Sequence, residues 1–262
     1  MPHVARSWLI CLALLTASTW AGVIARAGSS GWEGKKLADL PTNFIVGYAT
    51  LIDTPSRNST AKKPIPAIPV RVLPSFGYIR CWNVHRDPYH FTAMGLRKAK
   101  PGESGTTING VLYPAEGADM SSFDQREEAY TRVEVPSAQI EAVGWQSLPA
   151  IGHIWIYVPT AVLLPGPDAE YPLLQSYIDV MVEGGLEYRQ DFAREILETT
   201  DGWNRFWLND RELPHRPWVE DPRVREVDAV LKEASTTASL LSARAFPEMY
   251  GELLRERPPN RR

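Results

Sequence analysis

Two stretches decide how this chain is read: Val46-Gly47-Tyr48-Ala49-Thr50-Leu51 and Phe123-Asp124-Gln125-Arg126-Glu127-Glu128-Ala129-Tyr130-Thr131-Arg132. The first completes the apolar run Asn43-Phe44-Ile45-Val46-Gly47-Tyr48, which reads as a strand running into a turn. A turn at a strand end can aim main-chain N–H groups at an anion or a carbonyl oxygen. The second reads as a helical turn running into a strand, because Tyr130 to Val135 alternates as a strand does. Asp124 and Glu127 are three residues apart and share one face of that helical turn. Glu128 points about 100° away from Glu127 and reads as a solvated acid.

Around these two stretches the pattern is of strands first and helices afterwards. Strands are expected in residues 70–83, one or two of them, and again in 91–96, 107–113 and 151–158. Residues 53–69 hold several prolines and polar residues and read as a loop. Within it Asn58-Ser59-Thr60 matches the glycosylation sequon, relevant only on a eukaryotic secretory path. A short helix is expected between strands 107–113 and 130–135, capped by Ser121 or Ser122, with Gln125 completing a capping box on Ser122. After Pro165, Leu173, Leu174, Tyr177, Ile178 and Met181 follow helical spacing up to Gly184-Gly185, where that helix is expected to break. A second helix carries Phe192, Ile196 and Leu197. A third, over residues 222–244, carries an apolar stripe through Val224, Val227, Val230, Leu231 and Ala234. Strands followed by helices predict an α+β protein.

The amino terminus reads as an address. Residues 7–25 carry no charge, lie between Arg6 and Arg26, and are followed by the small-x-small pattern Ala25-Arg26-Ala27. Residues 1–27 are therefore expected to be a signal peptide, and the protein to be exported, periplasmic or secreted; the alternative is an uncleaved anchor. Cleavage would remove Cys11 and leave Cys81 as the lone cysteine, so stability would rest on the core rather than on a disulfide. Residues 28–41 form a polar lead-in, residues 42–165 the strand-rich domain, and residues 166–262 a helical extension packed on it.

Composition narrows the function. With a net charge of −3 over 262 residues, 44% hydrophobic and 23% charged, the chain is an ordinary globular protein rather than a phosphate-coating nucleic-acid binder. A Gly-x-Ser-x-Gly elbow, a phosphate-binding Gly-Lys-Ser/Thr loop, a Gly-x-Gly-x-x-Gly turn and a His-Glu-x-x-His helix are all missing from the sequence. His85 and His90 fit no usual ligand spacing and read as surface or packed histidines, so neither a metal nor another cofactor is expected.

Taken with Gly77-Tyr78-Ile79-Arg80-Cys81-Trp82-Asn83 and Asn109-Gly110-Val111-Leu112-Tyr113, the two opening stretches resemble the γ-glutamylcyclotransferase family in order and spacing. That family has a Tyr-Gly-Ser-Leu-like loop, here Tyr48-Ala49-Thr50-Leu51, and a Leu-Asp-x-x-Glu-x-x-Tyr-x-Arg-like stretch, here residues 123–132. Residues 175–179 and 200–211, rich in Trp and Asn, resemble an extension found in one branch of it. The resemblance implies a small mixed β-barrel with flanking helices and a helical C-terminal extension. It implies a reaction in which the α-amine of a γ-glutamyl group attacks its own γ-carbonyl and releases 5-oxoproline. Glu127 would be the general acid and base, and the main-chain N–H groups of Tyr48, Ala49, Thr50 and Leu51 would receive the oxyanion and substrate carboxylate. Tyr130 and Arg132 would contact the substrate, a small γ-glutamyl amine, amino acid or peptide. Neither nucleic acid nor, after leader cleavage, a membrane is an expected partner. The chain departs from the family at Ala49, where glycine is usual, and at Thr50, where serine is. Two other readings stay open: a module that binds such a ligand without turning it over, and an interaction protein that uses its Trp-rich region, with Trp203, Trp207 and Trp218, as the contact surface.

Overall fold

Phe44, Ile45 and Val46 are buried on both faces, so the strand they form must lie at the centre of a sheet. In the computed structural model, which describes residues 40–87, 89–160, 165–211 and 223–245, this is the case. The leader expected over residues 1–27, the lead-in as far as residue 39 and Trp218 lie outside those residues.

The chain runs β1 (Asn43–Gly47), α1 (Thr54–Ala61), β2 (Ile68–Val72), β3 (Tyr78–Arg86), β4 (Phe91–Lys98) and β5 (Ile108–Pro114). It continues through α2 (Ala118–Arg126), β6 (Tyr130–Glu134), β7 (Ile140–Ala142) and β8 (His153–Pro159). The second half holds β9 (Leu173–Leu174), α3 (Gln175–Leu186), α4 (Gln190–Glu198), β10 (Thr200–Asp201), β11 (Trp207–Leu208), α5 (Val224–Glu233) and α6 (Ala238–Leu241). β1 pairs antiparallel with β5 and parallel with β8, inside a six-stranded sheet of order β6-β8-β1-β5-β2-β7. A second sheet of order β10-β3-β4 packs beside it. The architecture is mixed α+β. Among the described residues no ladder closes the strands into the expected barrel. Where the edge strand β6 approaches β4 a side chain makes the link, the Tyr130 hydroxyl donating to the Met94 carbonyl at 2.9 Å.

Four local expectations are corrected. The loop over 53–69 contains α1, because Asp53 caps it by accepting from the Ser56 N–H at 2.7 Å and Pro55 sits at its first turn. Helix α2 starts at Ala118, not at a serine cap; Ser121 and Ser122 lie inside it and turn their hydroxyls back onto the Gly117 and Ala118 carbonyls. Gly184 and Gly185 do not break α3, which runs through both. A Cβ on Gly184 would stand 2.4 Å from the Asp53 nitrogen, and one on Gly185 2.8 Å from the Ala193 Cα, so these glycines let α3 press against the start of α1 and against α4. The expected third helix is divided into α5 and α6 around Ala234 and Thr237, whose buried hydroxyl bonds the Leu231 carbonyl at 2.6 Å.

The helices of the second half share one core with the sheet, in which Phe44, Ile52 and Tyr113 meet Ile178, Ile196 and Leu231. Buried polar groups tie the halves together. Asp210 accepts from the N–H and hydroxyl of Ser176 at the start of α3, and Arg211 pairs with Asp179 at 2.6 Å and Asp228 at 2.9 Å. No helix of the described residues is long and apolar enough to cross a membrane.

Candidate active site

The C-terminal end of β1 is held open by its neighbours. A Cβ on Gly110 would lie 2.3 Å from the Gly47 carbonyl oxygen, so only glycine lets β5 follow the chain this closely as β1 gives way to a 3₁₀ turn over Thr50–Ile52. The turn closes with the Ile52 N–H on the Ala49 carbonyl at 3.0 Å. The first N–H groups of such a turn have no acceptor within it, and no side chain caps this one. Ala49 has φ −130°, so this position is not in the left-handed region that favours glycine.

Behind the turn lies Arg80, fully buried on β3. Its guanidinium donates to the Tyr48 carbonyl at 3.2 Å, to the Asn109 carbonyl and side-chain oxygen at 2.8 and 2.7 Å, and to the Ile196 carbonyl at 3.1 Å. It also reaches the hydroxyls of Thr199 and Thr200. Removal from water lowers its pKa to about 9. The many oxygens around it are what make a buried cation tolerable.

The turn forms one wall of a recess of about 330 Å³, counting its open mouth. Residues 46–51 meet Glu127, Tyr130, Met94, Tyr157 and Tyr177 across it. Glu127 sits where α2 ends. Its N–H closes the helix on the Phe123 carbonyl at 2.9 Å, and its own carbonyl accepts from Tyr130 at 2.8 Å, turning the chain into β6. The Glu127 side chain keeps 17% of its surface exposed, so it is largely dry yet reachable. Burial raises the affinity of its carboxyl for a proton above the ordinary, while the positive charges of Arg126 and Arg86 pull it back. Glu128 faces solvent.

The tyrosines stiffen the walls. Tyr48 donates its hydroxyl to the Tyr157 carbonyl at 2.8 Å, and Tyr157 donates its own to Asp124 at 2.8 Å. Tyr177 packs edge-on against Trp82 with ring centres 5.7 Å apart, and burial raises its hydroxyl to about 12. All of these phenols are neutral donors at ordinary pH.

Of the residues singled out in the sequence, the recess brings together Tyr48, Ala49, Thr50, Leu51, Glu127 and Tyr130. Arg132 stands apart from it. Its guanidinium pairs with Asp124 at 3.1 Å and lies 5.4 Å over the Trp155 ring, one step behind the Tyr157 wall. Met94, Tyr157, Tyr177 and Arg126 were not marked by the sequence. Tyr177 belongs to an apolar helical stripe and Met94 to a strand, so each reads as core; only the packing of α3 and β4 against the turn gives them a face on the recess. His85 and His90 stack on Tyr171, with ring centres 4.0 and 5.6 Å away.

No protein-family model matches the chain, and no curated protein matches it. Among solved structures it is similar to a γ-glutamyl cyclotransferase, with a TM-score of 0.43 and 11% identity over 58% of this chain and 85% of the other. It is similar to the uncharacterized protein loc79017 from Homo sapiens, with a TM-score of 0.44 and 11% identity over 62% of this chain and 90% of that one. YkqA from Bacillus subtilis aligns with a TM-score of 0.42 and 15% identity over 61% of this chain, which spans 54% of YkqA.

Proposed function

We propose that the protein is a γ-glutamyl cyclotransferase, and the observation that carries this reading is a dry, proton-hungry carboxyl facing an uncapped main-chain turn across one small recess. The substrate's α-amine and γ-carbonyl belong to one molecule, so holding them in a bent conformation supplies much of the rate. Glu127 takes a proton from the α-amine as its nitrogen bonds to the carbon of the γ-carbonyl. The carbonyl oxygen gains negative charge, and the N–H groups of residues 48–51 stabilise it. The bond to the departing nitrogen then breaks, that nitrogen takes the proton from Glu127, and 5-oxoproline and a free amine leave. A carboxyl with raised proton affinity suits both steps, because it takes up a proton more readily than an ordinary glutamate and can hand it on to the departing nitrogen. The Thr50 hydroxyl and the phenols of Tyr130 and Tyr177 line the remainder of the bound γ-glutamyl group, and Arg132 acts through Asp124 and Tyr157. With residues 1–27 removed on export, the activity is extracytoplasmic.

The test is 5-oxoproline release from γ-glutamyl amines, amino acids and peptides. The wild-type protein is expected to turn over at least one of them, and Glu127→Gln to lose about 10²–10⁴-fold. Ligand binding without release of 5-oxoproline by the wild-type protein would instead make the recess a binding site only. An unchanged rate in Glu127→Gln would remove the carboxyl from the chemistry.

A further inference from the structure

Arg126 immediately precedes Glu127, yet its side chain crosses to the other wall of the recess. One terminal nitrogen donates to the Thr50 hydroxyl at 3.0 Å and to the Ser56 hydroxyl at 2.9 Å. The other donates to the Ser56 carbonyl at 3.0 Å and to the Thr60 hydroxyl at 2.5 Å. Nε stands 3.5 Å from a Glu127 carboxylate oxygen. A single planar, permanently charged group thus touches the turn after β1, helix α1 and the carboxyl at the end of α2. A guanidinium can do this because its donors splay in one plane and it has no acceptor of its own.

Two chemical consequences follow. A guanidinium can only donate, so at Thr50 the hydroxyl oxygen accepts, and its own hydrogen remains for another acceptor. Thr50 lines the recess, so that hydrogen is available to an oxygen of a molecule bound there. At Glu127 the positive charge favours the ionised carboxyl against the burial that disfavours it.

We propose that Arg126 is a positioning residue of this site, fixing the Thr50 hydroxyl as a donor toward bound substrate and holding the Glu127 carboxylate ready to act as a base. The proposal rests on the cyclotransferase reading above. The charged and titratable groups facing Glu127 are Arg126 on its own helix, Arg86 at the end of β3, Tyr48 in the turn after β1, and the tyrosines at 113, 130, 157 and 177 on the surrounding strands and α3. Of these the two arginines alone carry charge near neutral pH, and Arg126 is the one paired with the carboxylate.

The experiment has two readouts on the full-length chain. The first is the titration midpoint of the Glu127 carboxyl, followed by NMR in protein labelled at the glutamate side-chain carboxyl carbon and assigned by its loss in Glu127→Gln; it needs no turnover. The second is 5-oxoproline release from γ-glutamyl-alanine across pH. Arg126→Gln is expected to move the Glu127 midpoint, and with it the acidic limb of kcat/KM, upward by about one pH unit. Arg126→Lys keeps the charge but not the fork, so it should leave the midpoint near the wild-type position while kcat/KM falls by up to about 10²-fold through misplacement of Thr50. Thr50→Val, which leaves the contacts to Ser56 and Thr60 in place, should lower kcat/KM with an unshifted midpoint and serves where Arg126→Gln folds poorly. A wild-type midpoint in a folded Arg126→Gln overturns the electrostatic half, and full kcat/KM in Thr50→Val or Arg126→Lys overturns the positioning half. A midpoint that shifts as expected in a protein releasing no 5-oxoproline supports the Arg126–Glu127 coupling while rejecting the cyclotransferase reading.

Discussion

Glu127 is costly to the fold at the position where the proposed chemistry needs it. The folded state binds its proton more tightly than the unfolded chain does, because burial penalises the ionised form. The stability it contributes is therefore complete below about pH 4, the ordinary range of a glutamate, and is lost as pH rises through the raised folded-state value. Glu127→Gln removes that loss. Its melting temperature should exceed that of the wild-type protein at pH 8, and the gap should close as the pH is brought down to about 4; equal melting temperatures at pH 8 would mean that the carboxyl is adequately solvated after all. Cys81 is the opposite kind of residue. Burial pushes its thiol up to about 12, so it is an inert packing group of β3. Asn58, in the sequon, accepts the Ile65 N–H at 2.8 Å and so serves to end α1.

The elements around the recess depend on how closely α3 can approach the segment that follows the turn. Gly184 allows that approach, its Cα hydrogen facing Ile52 and Asp53. Gly184→Ala would set a methyl 2.4 Å from the Asp53 nitrogen and 2.7 Å from the Ile52 carbonyl carbon, which are backbone atoms that cannot swing aside. A cost of about 1–3 kcal/mol is expected in urea denaturation, with 5-oxoproline release reduced even below the melting transition, since the displaced backbone continues into residues 50–52. A pair of adjacent glycines in a helical pattern reads as an interruption because glycine is a poor helix former. Here tertiary packing outweighs that preference. Helix α1 makes the same point in reverse: Thr54-Pro55-Ser56-Arg57-Asn58 looks like a loop, but an aspartate cap and the buried Arg57, donating to the Leu51 and Ile52 carbonyls at 3.1 and 2.9 Å, make it a helix that braces the turn.

Across the whole molecule the second half is a structural part of the site. α4 ends on Arg80 through Ile196, Thr199 and Thr200, and Arg80 in turn holds the Tyr48 carbonyl. α3 supplies Tyr177 and is itself fixed by the pairing of Asp179 with Arg211. Asp179→Ala leaves the Arg211 guanidinium nearly dry with Asp228 as its remaining acid, and a loss of about 3 kcal/mol is expected. Because one apolar core runs through both halves, that loss should appear in a single transition, with tryptophan fluorescence and far-UV circular dichroism falling together. Two separated transitions would show that the helical half unfolds independently of the sheet.

Local chemistry was enough to read the strand that starts at residue 43, the turn after it and the succession of strands and helices, because alternation, helical spacing and turn residues act over a few neighbours; the acid at 127 was singled out by the family resemblance. The linear order did not reveal that the strands form an open sheet beside a smaller one, that Gly184 and Gly185 are contact points, that Tyr177 faces the recess or that Arg132 stands behind its wall. Nor could it reveal that Arg126 spans from Glu127 to Thr50. Each of these depends on groups scores of residues apart coming within hydrogen-bonding or van der Waals distance, and that proximity exists only once the common core has closed around them.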